Sequence, residues 1–168
     1  KDTGVCQMAY ITRDYNRYFE LWEDFRPLPS SIFHSGVKNN EKSKNHDLLK
    51  KILDSSSACQ VSDAFSSVSG RSGVIDGLKP MNDNKVYGKI FTAKTNTDDW
   101  GTSLMAMDNA EEGEVLFIYT YGKPASVWGE LASTCAKNNG IKATVIYGSA
   151  RDLDALLYMD YPVFDSNF

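Results

Sequence analysis

Residues 114–121, EVLFIYTY, form a continuous apolar run, and a second one, IKATVIY at 141–147, follows it in the chain. Strands apolar on both faces need cover on both faces, and parallel strands need a crossover between them, usually a helix. The intervening segment supplies one. Gly122 and Pro124 turn the chain, and a helix is expected from about 126 to 139, with Val127, Leu131, Cys135 and neighbouring Trp128, Ala132 and Ala136 as its buried stripe. Asn139 and Gly140 then stop it. After the second run Gly148 opens another turn, Arg151 and Asp152 precede a short helix LDALLYM, and a further strand runs to Phe164. Repeated strand–turn–helix–strand units specify an α/β layered domain.

Upstream the same grammar continues. DLLKKIL at 47–53 is expected to be helical behind an Asp47 N-cap, and 57–67 reads as a short helix begun through Cys59 and Gln60. SGRSGVIDGLKPM is a connection or a short edge strand; its glycines Gly70, Gly73 and Gly77 match neither phosphate-loop spacing. VYGKIFTAK at 86–94 alternates as a strand, and 102–110 reads as a helix using Leu104, Met105 and Met107. Residues 1–45 differ: a short strand at 8–11, an aromatic-faced helix over 14–25 ended by Pro27 and Pro29, then a polar loop or linker, SSIFHSGVKNNEKSKN. The expected division is an N-terminal extension, 1–45, and a domain, 46–168.

Charge narrows the function classes. A net charge of −4 and a pI near 5.2 leave no broad basic stripe for nucleic acid, and the lysine-rich run at 38–51, diluted by Glu41 and Asp47, reads as solvated loop. No apolar run approaches the ~20 residues that cross a bilayer. Cys6, Cys59 and Cys135 lack a CxxC pair, which suits reduced, mostly buried thiols in a cytoplasmic protein. His34 and His46 sit in polar, loop-like surroundings, poor material for a histidine metal cage or a Ser-His-Asp triad.

Two joints carry the chemistry. The helix after EVLFIYTY begins with unpaired N–H donors and the positive end of its dipole, and Gly129 lets a ligand approach that backbone or lets the helix pack closely on a strand. At the second joint Asp152 has competing roles: cap of its own helix, partner of Arg151 or Lys142, or ligand. Ligands of open α/β sheets gather at the carboxyl ends of strands, so neighbouring strands would bring both joints to one edge.

The run GKPASVWGELASTCAKNNGIKATVIYGSARDLDALLYMDYPVF resembles the core of the RraA-like family, and QVSDAF, GVIDGLKPM, GKIFTAKT and AEEGEVLFIY resemble its earlier segments in the right order. The most specific feature is the helix-start glycine, Gly129, followed 22 positions later by Arg151 and Asp152. That family includes regulators of ribonuclease activity, class II 4-hydroxy-4-methyl-2-oxoglutarate/oxaloacetate aldolase-type enzymes, and proteins once misnamed demethylmenaquinone methyltransferases. The resemblance implies a layered swivelling β/β/α domain, commonly a homotrimer or a multiple of it. It implies substrate binding by Gly129, Glu130, Leu131 and Ala132 through backbone amides, a catalytic and substrate-binding Arg151, and a catalytic Asp152 that holds a divalent metal cation, Mg²⁺ or Mn²⁺, largely through waters. It implies a lyase cleaving a small 2-oxo or 4-hydroxy-2-oxo dicarboxylate through an enolate or, as the alternative, a non-catalytic regulator with a ribonuclease partner. Tyr147 stands where the family usually has Asp, Asn or His, and the family's usual C-terminal strands are expected to be missing.

Overall fold

The computed structural model describes residues 39–167 other than Asp83, Gly122 and Ala125, with side chains from residue 47 onward. The strand expected at 8–11, the helix expected at 14–25, Cys6 and His34 lie outside the described residues, as does the side chain of His46.

Helix α1 (Asn39–Ser55) leads into α2 (Ala58–Ser69). The loop expected up to residue 45 is therefore helical from Asn39, and Asp47 lies exposed inside α1 rather than capping it. The polar composition that suggested a loop does not exclude a helix, since Glu and Lys are good helix formers. The start of α2 is legible: Ser57 and Gln60 form a capping box, each side chain accepting from the other's backbone N–H. Gly70 closes α2 at φ 68°, a left-handed conformation that favours glycine. Lys85 ties the far end of α1 to the domain, its Nζ donating to the carbonyls of Leu53, Asp54 and Ser56.

The chain then builds β1 (Lys79–Pro80), β2 (Ile90–Lys94), α3 (Gly101–Asn109), β3 (Val115–Tyr119), β4 (Ser126–Trp128), α4 (Glu130–Asn138), β5 (Ala143–Tyr147), β6 (Ser149–Ala150), α5 (Leu153–Tyr158) and β7 (Val163–Asp165). Five strands form one sheet in the order β1-β7-β5-β3-β2. Strands β2, β3, β5 and β7 run parallel, and β1 closes the edge antiparallel to β7. Strand β3 lies inside the sheet between β5 and β2, in keeping with its unbroken apolar run. Leu116 and Ile118 point into one core with Trp128, Ile146, Leu156 and Val163, whereas Val115 and Phe117 point into a second with Ile75, Leu78, Val145 and Phe164. Each such large apolar side chain contributes about 1.5–3 kcal/mol when fully buried. Asn82 secures the approach to β7, its Nδ2 donating to the carbonyls of Leu156, Met159 and Tyr161 at 3.3, 3.1 and 2.8 Å.

One correction bears on function. The helix expected from 126 is not helical there: residues 126–128 are β4, which pairs in parallel with β6 as a separate two-stranded sheet, and α4 starts at Glu130. Val127 and Trp128 are buried as strand residues, and the buried face of α4 is Ser133 and Ala136, while Leu131 is 80% exposed. Cys59 and Cys135 are exposed rather than buried. The mixed apolar spacing at 127–136 merges a strand of period two with a helix of period 3.6.

Candidate functional site

Both joints lie at the carboxyl edge of the sheet, since β3 and β5 are parallel neighbours paired from Val115↔Ala143 to Tyr119↔Tyr147. The short ladder β4–β6 then draws them together. Ser126 pairs with Ser149, Trp128 pairs with Ala150, and the Arg151 N–H donates to the Trp128 carbonyl at 2.9 Å. Trp128, only 2% exposed, donates its indole N–H to Ser133 Oγ at 2.8 Å, which fixes the first turn of α4 against β4.

Gly129 separates β4 from α4 in an extended conformation that any residue adopts, so its requirement is steric. A Cβ there would stand 2.5 Å from Asp152 Oδ2 and 3.0 Å from Arg151 Cγ. Asp152 occupies the N-cap position of α5 with φ 60° and ψ 41°, a left-handed conformation that Asp tolerates better than most residues. Its side chain does not cap α5. Instead Oδ2 accepts the Glu130 N–H at 3.2 Å, so the carboxylate caps the neighbouring helix α4 and meets its dipole. Arg151 Nε lies 3.7 Å from the same Oδ2, with the two side chains 69% and 44% exposed. Asp152 thus caps the neighbouring helix across the joint rather than its own, and forms a solvent-facing pair with Arg151.

Gly129, Glu130, Arg151 and Asp152 therefore meet at one point. Leu131 and Ala132 follow in the first turn of α4, and their N–H groups have no acceptor among the described residues. Tyr147 does something the sequence did not reveal: its ring stacks on Tyr119 at 5.7 Å, and Tyr119 lies 5.1 Å from Tyr121. The signal was the shared register position of the two tyrosines at the ends of LFIY and TVIY. Tyr121 is left-handed at φ 58°, with Lys94 Nζ 5.0 Å above its ring, and lines a groove of about 370 Å³ with Asn96, Thr97, Asp98 and Lys123.

The donor set constrains any metal. Among the described residues no group of three or more His, Cys, Asp or Glu side chains converges for a metal ion. Asp152 offers one half-exposed carboxylate whose Oδ1 accepts no hydrogen bond from the described residues. A hard cation that keeps most of its waters fits such a donor, whereas a zinc-type protein cage does not.

A family model described as RraA-like, Aldolase/RraA, matches residues 58–168. The chain belongs to the RraA-like family. A putative 4-hydroxy-4-methyl-2-oxoglutarate aldolase of Halalkalibacterium halodurans is 30% identical over 106 residues, covering 62% of this chain and 49% of that protein. An uncharacterized protein from Pseudomonas syringae pv. tomato has a solved structure with a TM-score of 0.60 at 30% identity, covering 70% of this chain and 56% of that one. The RNA-processing inhibitor RraA from Thermus thermophilis superposes with a TM-score of 0.53 at 17% identity, covering 62% of this chain and 65% of that one, a likeness of fold alone. The chain spans half or less of the length of the curated relatives it matches. The RraA-like α/β fold expected from the sequence is the fold found; of the proteins this chain is similar to, one is named a putative aldolase and another an RNA-processing inhibitor. Among the described residues no helix is long and apolar enough to cross a membrane.

Proposed function

We propose that the Arg151–Asp152 joint is the catalytic centre of a divalent-cation-dependent lyase of aldolase or decarboxylase type, acting on a small 2-oxo or 4-hydroxy-2-oxo dicarboxylate through an enolate. The observation supporting it is the meeting of a guanidinium, a carboxylate and a helix N-terminus at one solvent-facing point, through the 3.2 Å contact of Asp152 with Glu130 and the 3.7 Å contact with Arg151. Arg151 binds a substrate carboxylate by charge-assisted hydrogen bonds. The Leu131 and Ala132 N–H groups take another anionic oxygen at the start of α4. Asp152 holds Mg²⁺ or Mn²⁺ mainly through waters, and the bound cation supplies Lewis-acid polarisation of the 2-oxo carbonyl. No Schiff-base lysine is needed. The same reading takes a homotrimer as the working assembly.

The deciding test is pyruvate release from oxaloacetate with Mg²⁺ present. Asp152→Ala is expected to abolish it with the circular-dichroism spectrum unchanged, and full activity in that variant would remove the metal role. A second reading is a non-catalytic regulator that docks a ribonuclease, in keeping with the RNA-processing inhibitor among the proteins of the same fold. Capture of the nuclease with inhibition of its activity, by a chain whose wild type shows no cation-dependent turnover, would establish it instead.

A further inference from the structure

Arg151 and Asp152 hang from β6, a strand of only two residues, and the question is what holds so short a strand in register. Its two edges face different partners. On one side the Arg151 N–H reaches the Trp128 carbonyl of β4. On the other side, where a backbone carbonyl would continue the sheet, the Ala150 N–H donates instead to Asp165 Oδ2 at 2.9 Å. Asp165 is only 2% exposed, and its Oδ1 accepts the Asn167 N–H at 3.0 Å. The backbone just after Asp165 completes the clamp: the Ser166 N–H and Ser166 Oγ both donate to the Gly148 carbonyl at 3.2 Å.

A carboxylate is costly to bury, and this one is held by two backbone N–H donors. The contact it makes immediately precedes Arg151 in the chain. We infer that Asp165 is a positioning residue: its buried carboxylate replaces a missing strand partner for β6 and so sets where Arg151 and Asp152 stand over the start of α4. The proposal rests on the lyase reading for its catalytic consequence, but not for its structural one. Loss of the Ala150 contact lets β6 drift from β4. Asp152 Oδ2 then leaves the Glu130 N–H, so an amide on a different helix reports what happens at Asp165.

Amide hydrogen exchange by NMR on the full chain, paired with Mn²⁺ binding, tests this. In Asp165→Ala the Ala150 and Glu130 amides are expected to exchange faster. The Ser133 amide, bonded to the Gly129 carbonyl inside α4, and the amides of β3 stay protected. Mn²⁺ affinity and kcat fall by about tenfold or more, the scale seen when a group supporting a ligand is removed, while KM changes less. Asp165→Asn, which keeps the volume and one acceptor oxygen, recovers part of the protection. Should Asp165→Ala fail to fold, Asp165→Asn decides, because its single carbonyl serves two donors and Glu130 exchange must still exceed that of the wild type. Unchanged Glu130 exchange overturns the proposal. So does faster Glu130 exchange with undiminished Mn²⁺ affinity in a protein whose wild type binds Mn²⁺. If the wild type binds no Mn²⁺ and releases no pyruvate, the lyase reading falls, and Asp165 is judged on the Glu130 amide alone.

Discussion

At Gly129 a single hydrogen atom decides whether Asp152 can reach α4. Because the backbone there is extended, Gly129→Ala adds no conformational strain; the cost is the contact at 2.5 Å with Asp152 Oδ2 and at 3.0 Å with Arg151 Cγ. The carboxylate can swing away, so the fold survives with the loss of one helix-capping hydrogen bond, about 0.5–2 kcal/mol. Thermal unfolding should therefore shift by only a few degrees, while pyruvate release and Mn²⁺ binding collapse. Asp99 links stability to pH. Its carboxyl is held below the usual carboxylate range, first by the Thr102 hydroxyl at 2.6 Å and then by the Thr102 N–H. A lowered folded pKa stabilises the protein above the unfolded value, about 3.9, and that contribution disappears as pH falls through the lowered folded value. Asp99→Asn should accordingly be less stable than wild type in urea near neutral pH. The gap should close on acidification below the unfolded value; a gap that widens there would refute the assignment.

Among the elements, the ends of β3 and β5 are pinned to each other more tightly than their strand pairing alone requires. Tyr147 O accepts both the N–H and the Oγ1 of Thr120, each at 3.0 Å, and Thr120 is fully buried. A Cβ on Gly148 would sit 1.9 Å from that Oγ1 and 3.1 Å from Thr120 Cβ. Gly148→Ala should cost about 2–3 kcal/mol by overpacking. Thr120→Ala alone should cost about 1 kcal/mol for its lost hydrogen bond. In the double variant the offending oxygen is gone, so the two losses should fall short of additivity by about 1–2 kcal/mol, measurable in a urea double-mutant cycle. Strict additivity would mean that the turn after β5 is not packed as described. This joint matters for function because the chain goes straight from Gly148 into β6 and Arg151.

For the molecule as a whole, a cation held by Asp152 as proposed would bind the folded chain alone, because the unfolded chain cannot assemble the joint. At a concentration a hundred times its dissociation constant, such a ligand adds about 2.7 kcal/mol of stability. Mn²⁺ or Mg²⁺ should raise the unfolding temperature of the wild type by several degrees, with no rise in Asp152→Ala. A flat response in folded wild type would weaken the lyase reading and favour the regulator. The whole-molecule arrangement also explains why both joints can serve one site: parallel β3 and β5 deliver their crossings to the same sheet edge.

The layered α/β architecture was legible in the chain, because the short apolar runs at 114–121 and 141–147, rich in β-branched and aromatic residues and bounded by glycine turns, suit strands covered on both faces. The candidate residues Gly129, Arg151 and Asp152 came from their resemblance to the family's pattern, not from local pattern alone. The sequence could not separate β4 from α4, since three strand residues placed against a helix mimic a longer amphipathic helix. Nor could it decide what Asp152 does. A carboxylate at a helix start caps that helix in most local contexts, and nothing within a few residues of Asp152 says otherwise. Only the tertiary structure, by pairing β4 with β6 and bracing β6 with Asp165, brought Glu130 within 3.2 Å of that carboxylate. Pattern along the chain reports which face of an element is buried. Contacts between residues far apart in sequence are set by sheet order and register, and those depend on the entire core.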